Sequence, residues 1–279
     1  MSSDQFPSHK PLPRRTLSQQ MADELTEAIV SGEMPPGSML PIEPLLAARF
    51  GVSRAVVRDA TRMLVARGLV DAQHGRGVFV TESGMEPFSE ALLLALRRQS
   101  ATVWDMERFE ALILPEVLAE AARMATDDDI ALIRRLTGNY HATFAEVSRR
   151  NWGKAHLPDP ERDQVLAAFR AVYRAIFAAT HNAVLKLLAE PVLRLRALRS
   201  WQEGDLTVED FIAHERHLFD RRIDAIAGRD PERARAVARE SAQMPAGVEA
   251  ALREAMSATP IGETVEVPLI LSTVTPGRE

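Results

Sequence analysis

The stretch "LAARFGVSRAVVRDATRML", Leu46 to Leu64, limits the possible folds of this chain more than any other segment. Two short apolar-patterned segments meet at Gly51, a residue free to adopt the left-handed conformation that ends a helix. Ser53 stands where its hydroxyl can cap the amides of a second helix, which should run to about Arg67 and stop at Gly68. Two short helices joined by a tight glycine turn are the elements of a helix-turn-helix. Arg54, Arg58 and Arg62 recur at four-residue intervals on the second helix, drifting about 40° per step, so they share one broad face. Val57, Ala60, Leu64 and Val65 are expected to turn the other way and pack on the domain.

The flanking sequence completes a small domain. From Leu17 to Ser31, apolar residues at Leu17, Met21, Leu25 and Ile29 form a helical stripe closed by Gly32. "EMPPGSMLP" breaks the chain, and Ile42 to Phe50 resumes as a short amphipathic helix. After the arginine-bearing helix, "LVDAQ" and "GVFVTE" are β-rich runs around "HGRG", which reads as a hairpin. The expectation for residues 15–82 is therefore three helices and a two-stranded wing, with residues 1–14 a flexible arm rich in Pro, Ser and charge.

"TESGMEP", Thr81 to Pro87, is polar and carries glycine and proline; residues 83–87 are expected to be a linker. Segments near 87–99, 102–125, 127–149, 160–180, 183–200, 207–228 and 231–257 then carry helical apolar spacing, several with marked starts such as Asp127, Thr207 and Pro231. The fold class expected is mainly α: an N-terminal winged helix-turn-helix followed by an all-α bundle of six or seven helices over 88–258. The tail, 259–279, contains "ETVEVPLILSTV", β-prone and apolar, and is expected to pack on the bundle or on a partner.

Composition narrows the function. The chain has 279 residues, no cysteine and a net charge of -5, so disulfides, thiolate zinc sites and thiol nucleophiles are excluded. No apolar run approaches a membrane span, and the amino terminus lacks the apolar core of a secretory signal; a cytoplasmic protein is expected. Within this acidic chain, Arg49 to Arg76 holds six arginines against two aspartates. Arginines four apart are often only a solvated helix face. Here they lie where a helix-turn-helix presents its second helix to the major groove, amino end first, and arginine can grip guanine O6 and N7 there.

These residues resemble the GntR superfamily of bacterial winged-helix transcription factors. The likeness runs from about Leu17 to Thr81 through "SGEMPPGSMLP", "LAARFGVSR", "VRDATRMLVARGLV" and "HGRGVFV". The resemblance implies operator DNA as partner, with contacts from Ser53, Arg54, Arg58 and Arg62 and from the wing residues His74, Gly75, Arg76 and Gly77. Many relatives carry a basic or polar residue where this chain has Pro44, so a contact supplied there is expected to be absent.

The remainder, about Trp104 to Ala251, is similar to the FadR-type effector domain called FCD, through "ERFEALILPEVLAEAARMATDDDI", "FRAVYRAIFAATHN" and "RRIDAIAGRDPERARAVARES". That likeness implies a homodimer and a small-molecule effector, and in many relatives a divalent metal held by one aspartate and three histidines. The matching positions here are Phe169, Tyr173, Phe219 and Ser241, which are poor donors for hard or borderline cations. The position of an effector-holding arginine is Glu110, so acidic effectors should be repelled. No metal and no cofactor is expected, and Glu110, Phe169, Tyr173, Phe219 and Ser241 form the candidate effector pocket, as an aromatic lining or as packed filling.

Two other classes compete. A metal-dependent carboxylate sensor could use His214 and His217, three apart on one helix, but both lie roughly 140° to 160° around the helix from Phe219 and its apolar stripe. An enzyme would need a catalytic constellation, and the chain offers no metal motif, no placeable Ser-His-Asp set and no phosphate-cradling glycine loop.

Overall fold

The computed structural model describes residues 15–82, 85–153, 157–195, 199–201, 207–242, 246–262 and 265–267. The chain folds as two compact units, Met1–Phe88 and Ser89–Glu279.

The first unit holds α1 (Leu17–Val30), α2 (Glu43–Phe50), α3 (Arg54–Ala66), β1 (Val70–Gln73) and β2 (Gly77–Val80). Thr16 and Gln19 form a reciprocal capping box that starts α1. Met21, Ala22 and Leu25 of α1, Leu46 of α2 and Val57, Ala60 and Leu64 of α3 close a core with Leu40, Val70 and Val80. Two stripe residues expected inside are outside: Leu17 is 57% exposed and Val65 38%. Leu17 opens its helix, and Val65, eleven residues after Arg54 and seven after Arg58, lies within about 20° of both and so belongs to the exposed arginine face, not to the stripe of Val57, Ala60 and Leu64.

β1 and β2 pair antiparallel, Val70 opposite Val80 and Gln73 opposite Gly77. Ser38–Leu40 adds a short third partner to β2: Val80 N donates to Ser38 O at 2.8 Å and Leu40 N to Val78 O at 2.7 Å. The wing is thus tied back to the segment between α1 and α2, which stiffens a hairpin that would be marginal alone.

The helix that leads into the second unit, α4 (Glu86–Arg98), begins three residues before it, within the stretch expected as linker; Pro87 in its first turn costs the helix no hydrogen bond. There follow α5 (Val103–Met124), α6 (Asp127–Asn151), α7 (Asp159–Ala178), α8 (Ala183–Leu195), α9 (Val208–Ala227), α10 (Pro231–Ala242) and α11 (Ala246–Ala258). Capping boxes from Thr102 and Asp105, Thr126 and Asp129, and Thr207 and Asp210 start α5, α6 and α9. One core unites α5 to α10, including Leu118, Ile133, Tyr140, Val172, Ile176, Phe219 and Ile226. A smaller cluster joins Leu92, Leu93 and Leu96 of α4 to Met106, Leu195 and Ile261.

The all-helical second unit expected from the sequence is borne out, with two changes of detail. The segment read as one helix over 231–257 is two, α10 and α11, and Pro245 stands in the sequence between them. The helix expected over 183–200 ends at Leu195, and β3 (Arg199–Trp201) pairs in parallel with β4 (Val265–Val267), Arg199 opposite Val265. The tail's β-prone start is therefore strand paired within its own chain; residues 268–279 lie outside the described residues.

Candidate nucleic-acid interface and effector cavity

The turn between α2 and α3 is built as its residue types require. Gly51 caps α2 at φ 63°, and the Ser53 hydroxyl accepts a hydrogen bond from Val56 N at 3.3 Å to start α3. α3 divides cleanly: Val57, Ala60 and Leu64 are fully covered, whereas Arg54, Arg58 and Arg62 are exposed. Arg58 lies 3.7 Å from Glu43 of α2, and Arg62 lies 3.0 Å from Asp59 one turn back. Arg54, on the first turn, has no ion pair among the described residues. Arg67 differs from these three. It bonds Asp23 and Thr26 of α1, each at 2.9 Å, and so fastens the end of α3 to α1.

On the wing, His74, Gly75 and Arg76 form the turn, with Gly75 at φ 71° and Gly77 at φ 117°, backbone that favours glycine. The Arg76 guanidinium lies 6.0 Å from the Phe79 ring centre, an exposed cation held over the wing. Exposed guanidiniums on a helix face, with a basic hairpin tip in the same unit, can meet phosphates and base edges.

In the second unit, Phe169, Tyr173 and Phe219 come together. Ring centres lie 4.6 Å apart for Phe169 and Tyr173 and 5.9 Å for each of these with Phe219. Tyr140, which sequence reasoning passed over, completes the cluster at 4.7 Å from Phe219 and 5.9 Å from Phe169. Its hydroxyl donates to Glu215 at 2.7 Å. The Tyr173 hydroxyl accepts from Arg222 Nη1 at 2.8 Å, and that guanidinium lies 5.7 Å from the Phe219 ring centre. Arg222 was also missed, because an arginine on a helix carries no signal of burial until its neighbours are known.

The space that aromatic residues could have lined is mostly filled by them. A cavity of about 20 Å³ remains between α5, α7 and α8, walled by residues that include Phe109, Glu110, Ile113, Tyr173, Phe177 and Leu193. Glu110 and Tyr173 of the candidate pocket thus border this cavity. Phe169 and Phe219 do not, being committed to the ring cluster, and Ser241 of α10 turns its hydroxyl to Val237 O at 2.7 Å. Among the described residues no three His, Asp or Glu side chains gather as a metal site. His217 is exposed and His214 half-buried. His181, at φ 50° between α7 and α8, bonds Asp129 at 2.8 Å at the start of α6.

His141 is a further group that periodicity does not mark. It is buried against the Phe219 ring, with Nδ1 3.9 Å from Asp220 and Nε2 without a partner among the described residues. Burial pushes its pKa below the usual histidine value, against the pull of Asp220 and Glu215 and with the help of Arg216.

A winged helix-turn-helix with an arginine face, followed by an all-helical domain, defines the class: a DNA-binding transcriptional regulator with a helical effector-binding domain. Residues 17–80 match the model of the bacterial regulatory proteins of the gntR family, and residues 105–243 match the FCD domain. The chain belongs to the GntR family, in its FadR-type, FCD-bearing branch. It is 29% identical over 231 residues to the HTH-type transcriptional repressor NanR of Salmonella newport, covering 81% of this chain and 82% of that one. It is 45% identical over 74 residues to the mannosyl-D-glycerate transport/metabolism system repressor MngR of Escherichia coli, 26% of this chain and 29% of the relative. Among solved structures, a Streptococcus agalactiae GntR aligns with a TM-score of 0.56 at 20% identity, over 81% of this chain and 97% of that one. No helix of the described residues is long and apolar enough to cross a membrane.

Proposed function

We propose that the protein is a cytoplasmic homodimeric repressor that binds a pseudo-palindromic operator and releases it in response to a small molecule. Ser53, Arg54, Arg58 and Arg62 read or grip the major groove, and His74, Gly75, Arg76 and Gly77 of the wing contact the adjacent backbone or groove. The carrying observation is the division of α3, whose apolar residues are fully covered while its three arginines stay exposed. The naming of NanR and MngR as repressors supports repression, and two-fold operator symmetry follows from a two-fold dimer.

The effector is proposed to enter the helical domain without a metal. Phe169, Tyr173 and Phe219 then serve as rigid packing beside the cavity that Glu110 and Tyr173 border, and Ser241 as a helix-internal hydroxyl. Footprinting of DNA upstream of the chain's own gene, with light scattering on the same preparation, tests the DNA and dimer reading together. Two protected half-sites about one helical turn apart and a dimer mass are expected. A monomer protecting a single half-site contradicts it.

A further inference from the structure

The packed helices α7 and α8 hold charge that the fold itself leaves unanswered. Arg170 of α7 is half-buried, and its Nε is shut off from solvent with no hydrogen-bond partner among the described residues. One turn on, Arg174 is paired at 2.6 Å with Glu190 of α8. Arg194, one turn beyond Glu190 on α8, is exposed and without an ion pair among the described residues. Asp163, the other acid that acts on Arg170, lies 3.8 Å from Arg162.

A desolvated guanidinium whose neighbouring acids are engaged by other arginines is costly, and its cost falls when an anion supplies further negative charge and the missing acceptor. Desolvation, with Arg174 and Arg194 adding like charge, pushes the pKa of Arg170 down despite Glu190 and Asp163. Arginine presents a planar fork of donors matched to carboxylate and phosphate. Arg170 also precedes Tyr173 by three residues and Phe177 by seven, so it shares a side of α7 with two walls of the cavity.

We propose that α7 and α8 together form an oxyanion site, in which Arg170 and Arg194 bind a doubly charged phosphate or dicarboxylate and Arg174 joins them by exchanging Glu190 for the ligand. The site rests on the reading of the helical domain as the effector domain. It runs against the expectation from Glu110 that acidic effectors are repelled: Glu110 borders the cavity from α5, while the three guanidiniums are on α7 and α8.

Calorimetric titration of the full-length protein with inorganic phosphate and, separately, with succinate tests it. Saturable binding of at least one is expected, and which one binds assigns the ligand to the phosphates or the carboxylates. Arg170→Gln should weaken binding by about tenfold or more, the loss of a charge-assisted contact. Glu190→Gln should tighten it, since Arg174 is released. No saturable heat with either anion, or equal binding by wild type and Arg170→Gln, overturns the proposal. So does loss of the dimer in Arg170→Gln, which would give the guanidinium to a subunit interface. Operator binding by ligand-free Arg170→Gln should match wild type; its loss would count against the two-domain reading, not the anion site alone.

Discussion

The Arg222 guanidinium donates to the Tyr173 hydroxyl at 2.8 Å while lying over the Phe219 ring, so a positive charge is already seated beside the aromatic cluster. Removing the hydroxyl takes away the acceptor of a charge-assisted bond, worth about 1.5–3 kcal/mol in partly buried settings. Tyr173→Phe should therefore lower the unfolding free energy by about 1–2 kcal/mol in urea titration with the m-value unchanged. Equal stability of the variant would show that the pair contributes nothing.

The same charge bears on metals. A divalent cation near Phe169, Tyr173, Phe219 and Ser241 would meet Arg222 and no carboxylate or imidazole from those four positions. Protein purified without a histidine tag should contain no stoichiometric zinc, nickel or manganese, and EDTA should leave its melting temperature unmoved. A stoichiometric metal with a fall in melting temperature on chelation would refute this, and would place the ligands elsewhere.

His141 makes stability depend on pH with a definite sign. Its folded pKa is lowered by burial, while the unfolded chain titrates near about 6.5. Below that pH the unfolded state binds the proton more readily, so the contribution of neutral His141 is complete above it and is lost as pH falls through the folded pKa. Asp220, Glu215 and Arg216 of α9 are the charged groups acting on it. Melting of wild type should drop between pH 6.5 and 5 more steeply than that of His141→Gln. Parallel curves would remove the histidine from the account.

Arg67 separates structural from DNA-facing arginines. Its partners Asp23 and Thr26 are on α1, and both members of the ion pair are more than a third exposed. Arg67→Ala should cost about 0–1 kcal/mol of stability and leave operator specificity intact. A changed base preference would mean that Arg67 leaves Asp23 for DNA.

Much of the DNA-binding unit was legible because its determinants are local. Gly51, Ser53 and the arginine spacing lie within a dozen or so residues, and each has its own backbone or face requirement. Face assignment failed for Leu17, since angular position does not say how far a neighbour extends, and for Val65, whose angle, about 20° from Arg54 and Arg58, already puts it on the arginine face. The addition of Ser38–Leu40 to β2 and the pairing of β3 with β4 join distant segments, and short runs carry no mark of their partner. In the helical unit, substitutions at Phe169, Tyr173 and Phe219 were readable one by one. The roles of Tyr140, His141, Arg170 and Arg222 depend on what packs around them, which spacing does not encode. Exposure of Phe169 and Phe219 to a pocket was one of two readings, and close ring packing favours filling.

The most direct test is operator affinity of Arg54→Ala and Arg58→Ala, measured by fluorescence anisotropy at fixed salt on the footprinted site and on single-base variants. Among the described residues Arg54, on the first turn of α3, has no ion pair, and Arg58 has only Glu43 at 3.7 Å to leave. Each substitution is predicted to cost about 1–3 kcal/mol of specific binding and to relax preference at one base pair per half-site. Unchanged affinity and unchanged base preference in both variants would contradict the account.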